Sequence, residues 1–124
     1  MSKYDLTDEE ISTFLEMLIH PLRYLMTEIA YINTQKGWYD KPRVFGDDIA
    51  LLHSEVSEAY EEYRNGNDDR IENGKPEGPG YELVDVIIRA LDSLNRMGLD
   101  PDTLIQTKLA YNATREHRHG NKVV

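Results

Sequence analysis

From Tyr81 to Met97 the chain carries Leu83, Val84, Val86, Ile87, Ile88, Ala90, Leu91 and Leu94, which on a helix cover more than half the circumference. A segment this apolar needs cover on most sides, so it is expected to be the most buried helix, ended by Gly98. No stretch alternates in the strand manner over a useful length, and there is no internal repeat or low-complexity tract. The expectation is therefore an all-α fold of four to five helices in one domain spanning residues 1–124.

The other helices announce themselves by their ends. Thr7 followed by Glu10 reads as a capping box opening a helix that continues through Ile11, Phe14, Leu15 and Leu18. Pro21 removes a hydrogen bond and disfavours a helical His20, so the first helix (about 7–20) should break there and a second run to about Thr34. Residues 35–46 lose the periodicity and read as a loop bearing Trp38 and Tyr39. A third helix is expected from about Asp47 to Asn65-Gly66. Asn73-Gly74-Lys75-Pro76 and Gly78-Pro79-Gly80 make 67–80 a predicted mobile loop. Asp100-Pro101 is a cap followed by Pro at the first helical position, so a fifth helix should reach about Arg115, leaving a short basic tail at 117–124.

Composition narrows the partners. Of the 124 residues, 23 are Asp or Glu and 14 Lys or Arg, a net charge of −9 that repels nucleic acid and anionic lipid. There is no Cys, so disulfides, thiolate metal sites and a cysteine nucleophile are excluded. No apolar run approaches a membrane span, and residues 1–10 carry four acids and no signal-like core, which points to a cytoplasmic protein. Apolar residues make up 40%, below the globular average, so the core is expected to be thin or completed by a second subunit.

Two acid pairs stand out. Glu55 and Glu58, then Glu82 and Asp85, are each spaced i, i+3, so on helices each pair projects from one face. The 23 residues between them suffice to end one helix, cross a loop and return alongside. Either these acids decorate solvated faces, as a chain that is 30% charged would allow, or the four converge on a cation. Without Cys, hard oxygen ligands favour Mg²⁺ or Mn²⁺. His53 reads as a packed or half-exposed side chain, and His117 with His119 supplies too few ligands for zinc. The single Glu116-x-x-His119 is half of what a di-iron bundle needs, and no P-loop, dinucleotide glycine pattern or serine elbow occurs.

In this order and spacing, Glu55-x-x-Glu58 and Glu82-x-x-Asp85 resemble the paired-acid signature of the MazG-like all-α nucleoside triphosphate pyrophosphohydrolases. The likeness extends to the aromatic loop Lys36-Gly37-Trp38-Tyr39-Asp40, to the helix Ile49–Ala59, and to Lys108-x-x-x-Asn112-x-x-Arg115 before His119-Gly120, covering about 30–122. Two departures are Ser54, where some members carry a further acid, and the segment before residue 28, which looks like an addition.

The resemblance implies Mg²⁺-dependent hydrolysis of a nucleoside triphosphate between its α and β phosphates, giving a monophosphate and pyrophosphate. Glu55, Glu58, Glu82 and Asp85 would be the ligands, with Glu58 also orienting the attacking water. Lys108, Asn112 and Arg115 would meet the phosphates, though basic residues late in a helix also answer its dipole without a ligand. Trp38 would stack on the base and Asn33 contact sugar or base, or Trp38 is a core or interface anchor and Asn33 an exposed helix-end residue. A homodimer or homotetramer is expected, with the broad stripe of the fourth helix at the interface. A catalytically silent helical oligomer that binds a nucleotide or protein partner is the alternative from another class.

Overall fold

The computed structural model describes residues 5–124. Its elements are helices α1 (Asp8–Ile19), α2 (Pro21–Gln35) and α3 (Phe45–Arg64), strands β1 (Arg70–Glu72) and β2 (Lys75–Glu77), and helices α4 (Pro79–Arg96), α5 (Pro101–Thr114) and α6 (Arg118–Asn121). The chain is 69% helix, with one two-stranded hairpin. No helix among the described residues is long and apolar enough to cross a membrane.

The capping box forms as the sequence indicates: the Thr7 backbone N–H donates to Glu10 Oε2 at 2.7 Å, and the Glu10 N–H to Thr7 Oγ1 at 3.1 Å. Pro21 does separate α1 from α2, leaving His20 at φ −131°, ψ 64°. His20 offers no side-chain cap, and a distant residue supplies it instead. The buried Asp102, in the first turn of α5, accepts from the N–H of Leu22 (3.1 Å) and of Arg23 (2.9 Å). Asp100 caps α5 itself and pairs with Arg23 at 2.7 Å, which holds its carboxyl down at about 2. The start of α2 is thus tied to the start of α5.

α3 and α4 form the main packed pair; α2 lies across α4, and α1 and α5 lie on α2. α3 begins at Phe45, two residues before the expected Asp47. The Val44 carbonyl accepts from Asp47 N and Asp48 N, and Asp48 turns inward to pair with Arg43 at 2.8 Å.

One expectation is corrected. Residues 67–80 are not a structureless loop: β1 and β2 pair antiparallel, Ile71 opposite Pro76. Asn73 (φ 53°) and Gly74 (φ 78°) supply the two positive φ angles of a type I′ turn. Strands of three residues are too short to show alternation, and here the turn and ion pairs decide. Arg70 bridges Glu62 (3.3 Å), Glu72 (3.1 Å) and Glu77 (3.0 Å). After the hairpin, Gly78 sits at φ 131° with the Asp69 backbone so close that a Cβ would lie 2.6 Å from Cα. That approach lets Asp69 accept from Gly80 N at 2.8 Å and open α4.

Among the described residues α4 is the most buried helix, as expected, but its burial is uneven. Its buried residues are Leu91, Asp92 and Ser93, in the C-terminal half, whereas Leu83 (55%), Val84 (47%) and Ile87 (54%) remain exposed. Among the described residues α2, α3 and the hairpin are its main cover, and they leave one side of the broad apolar arc in solvent. At the other end of the chain, the expected basic tail contains one distorted turn, α6, with His119 and Gly120 at positive φ.

Candidate metal centre and adjoining cavity

Because α3 and α4 lie side by side, three of the four acids they carry at i, i+3 meet. Oxygens of Glu55, Glu82 and Asp85 all lie within 4.8 Å of one another. Glu55 is buried (8%), Glu82 half-buried and Asp85 exposed, so the cluster opens to solvent on the α4 side. The fourth acid, Glu58, is exposed and lies outside this trio, although its charge reaches Glu82.

The trio carries more negative charge than its surroundings neutralise. The carboxyl of Glu82 is pushed up to about 7, first by loss of solvent, then by the charges of Glu58 and Asp85 and by its hydrogen bond and proximity to Glu55. Asp85 is also raised, by desolvation and by Glu55, with Arg89 opposing. One cation is built in: Arg89 Nε donates to Glu55 Oε1 at 2.6 Å. Arg89 in contact, with the Lys75 ammonium farther off and itself paired with Glu77, leaves the three carboxylates short of positive charge.

This donor set fits a hard divalent ion. All three ligands are carboxylate oxygens, as Mg²⁺ or Mn²⁺ prefer, and solvent on the open side can complete an octahedron.

The raised carboxyl has a consequence in the metal-free protein. Glu82 binds its proton more tightly folded (about 7) than its ordinary 4.5, so the stability it contributes is complete below about pH 4.5 and lost as pH rises to 7. Thermal melts in chelator should therefore show a midpoint that falls from pH 5 to 7.5. Glu82→Gln should flatten that fall. With Mg²⁺ present the gain in melting temperature should be larger at pH 7.5 than at pH 5.5, because the ion needs the ionised form.

Beside the trio, Glu55, Asp85 and Arg89 form one wall of a cavity of about 330 Å³. Trp38, Leu51 and Ile88 give it apolar surface, and Asn33, Arg43 and Asp92 close its other end. Asp92, two turns after Asp85, is buried and fully engaged. Its Oδ1 accepts from Asn33 Nδ2 (3.1 Å) and from the Tyr39 hydroxyl; its Oδ2 accepts from Arg96 Nε (3.1 Å) and pairs with Arg43 (3.7 Å). Burial pushes this carboxyl up, but the donors Tyr39, Arg96 and Asn33 outweigh it and hold it below the usual range. Arg96 also stacks over the Tyr39 ring at 4.4 Å and donates to the Trp38 carbonyl at 3.3 Å. The aromatic loop is thereby fastened to α4, with Trp38 itself 63% exposed at the cavity.

The residues named from sequence thus fall into two groups. Glu55, Glu82 and Asp85 converge, and Asn33 and Trp38 line the adjoining cavity. Lys108, Asn112 and Arg115 do not join them: α5 packs on α2, and Lys108 (5.9 Å) and Arg115 (5.6 Å) lie over the Tyr111 ring, away from the cavity lining. Sequence reasoning passed over Arg43, Asp48, Arg89 and Asp92. A signal for two of them existed: Glu82, Asp85, Arg89, Asp92 and Arg96 follow one another at 3, 4, 3 and 4 residues, a polar stripe along the otherwise apolar α4.

Compared with known proteins, the chain matches no family model, no curated protein and no solved structure.

Proposed function

We propose that this chain is a divalent-metal-dependent nucleoside triphosphate pyrophosphohydrolase of the MazG-like kind. The observation that carries the reading is the meeting of Glu55, Glu82 and Asp85 from two helices beside a cavity with an apolar wall and a polar end. The convergence of Glu55, Glu82 and Asp85 and the place of Trp38 at the cavity support that reading. Glu55, Glu82 and Asp85 would hold Mg²⁺ or Mn²⁺, with Glu58, one turn along α3, as the fourth carboxylate. A bound divalent ion supplies charge neutralisation and lowers the pKa of a coordinated water. In the overall reaction water oxygen bonds to the α phosphorus, the bond from that phosphorus to the α–β bridging oxygen breaks, and pyrophosphate leaves.

The chain's own residues have definite tasks in this scheme. Arg89 fixes the Glu55 carboxylate, and its two terminal nitrogens have no partner among the described residues, so they are available to a phosphate oxygen. Trp38 offers an aromatic face at the cavity. Lys108, Asn112 and Arg115 would reach the triphosphate only from another copy, which makes oligomerisation part of the proposal. No partner nucleic acid or membrane is called for.

Incubating the folded protein with each common NTP and dNTP plus Mg²⁺ should release monophosphate and pyrophosphate from at least one of them, and chelator should stop the reaction. Absence of product with every triphosphate, from protein that melts cooperatively, refutes the enzyme and leaves a silent helical oligomer.

A further inference from the structure

The end of the cavity opposite the carboxylates has a defined hydrogen-bonding character. Asp92 is ionised and therefore only accepts, so the branch of the Asn33 amide that faces it at 3.1 Å must be the NH₂. The same amide also stands near the Tyr39 phenol oxygen and favours its anionic form, as a donor does. With its nitrogen turned toward Asp92 and Tyr39, Asn33 is left with its side-chain oxygen. No donor among the described residues reaches that oxygen, and it is not among the buried partnerless atoms, so it is open to a ligand.

The Asp92 and Tyr39 groups beside it are already committed. Both Asp92 oxygens are occupied, the Tyr39 hydroxyl donates to Asp92, and the Arg43 guanidinium is ion-paired with Asp48 and Asp92. Arg89 belongs to the opposite end, where it is paired with Glu55. The seven residues from Asp85 to Asp92 rise about 10 Å along α4, comparable with the reach from a nucleotide's phosphate to its base edge. A nucleotide with its phosphates at the carboxylates therefore brings its base past Trp38 to Asn33.

We propose that the Asn33 side-chain oxygen selects nucleotides whose base carries an exocyclic amino group, as cytosine and adenine do, over the keto counterparts uracil and hypoxanthine. This rests on the reading of the cavity as a nucleotide site. An amino group donates to the fixed acceptor, whereas a keto oxygen in the same place meets it acceptor to acceptor and both lose their water. Asp92, Tyr39 and Arg96 are positioning residues: they prevent the amide from rotating to present its nitrogen.

The test is binding of non-hydrolysable α,β-methylene analogues to the full chain with Mg²⁺, comparing dCTP with dUTP and dATP with dITP, by calorimetry. The amino-bearing member of each pair should bind tighter by about tenfold to a hundredfold. Asn33→Ala should bring both ratios to within about twofold while the protein stays helical. Equal affinities, a keto preference, no binding by any of the four, or ratios unchanged in Asn33→Ala would overturn the assignment. Should that variant not fold, the two wild-type ratios decide alone. Pyrophosphate release from dCTP and dUTP is measured alongside. Turnover without amino preference removes only the base assignment; amino preference in binding without turnover removes only the hydrolase.

Discussion

Replacing Glu55 by Gln, or Asp85 by Asn, should lower pyrophosphate release by about 10²–10³-fold or more and abolish the rise in melting temperature that Mg²⁺ produces. Both substitutions keep side-chain volume and remove a charge from the trio, so the metal loses a ligand while the helices persist. The two variants should differ without metal. Glu55→Gln strands the Arg89 guanidinium that pairs with it at 2.6 Å, and so should destabilise the apo protein. Asp85→Asn relieves repulsion in a site whose carboxyls are already raised, and so should stabilise it. Glu58→Gln should also lose turnover but retain part of the Mg²⁺ stabilisation, because Glu58 stands outside the trio. Turnover assays and melts with and without Mg²⁺ check all three. Full activity in Glu55→Gln or Asp85→Asn would remove the metal centre from the mechanism.

A charge placed on the exposed side of α4 should break the protein into single copies. The chain exposes 9945 Å², against about 6,800 Å² for a monomer of its 14.4 kDa mass. The excess is roughly 3,000 Å², the scale of an obligate interface rather than a transient one. Among the described residues Met26, Ala59 and Leu91 form the buried apolar core, while Leu83, Val84 and Ile87 stand in solvent on a helix whose other side is already packed. On the proposed oligomer a second copy covers this area, and sedimentation at micromolar concentration should then report a dimer or larger assembly. Val84→Asp together with Ile87→Asp should shift it to monomer and lower the melting temperature steeply. A wild-type monomer would contradict the proposal.

What the sequence disclosed follows from which interactions are local. The Thr7–Glu10 box, the break before Pro21, the Asp100 cap with Pro101 and the Glu82–Asp85 pair at i, i+3 all act within one turn or so of chain, and each appears in the structure, whereas Glu58 does not join Glu55 in the cluster. The Asn73-Gly74 signal was equally local, but its flanking strands were too short to display a period, so the hairpin was read as a loop. Arg89 and Glu55 lie 34 residues apart, and Asn33 and Asp92 59, so each pair exists only once α2, α3 and α4 have found their register. The polar stripe on α4 marks where such partners had to be, but not which side chains would answer it. Lys108, Asn112 and Arg115 illustrate the converse: correct spacing on a helix places residues on one face without saying what that face meets.

Asp102 gives the molecule a closure that its element order does not suggest. Two backbone amides near residue 22 depend on a carboxylate 80 positions later, and a lost cap of this kind costs on the order of 1 kcal/mol. α2 carries Asn33 at its far end and leads into the Trp38 turn, so the segment that frames the cavity is anchored by the fifth helix as well as by the fourth. Shortening the chain ahead of Asp102 would therefore loosen the Asn33 wall of the cavity from behind, and an activity lost on such a truncation would report a helix set adrift rather than a missing ligand contact.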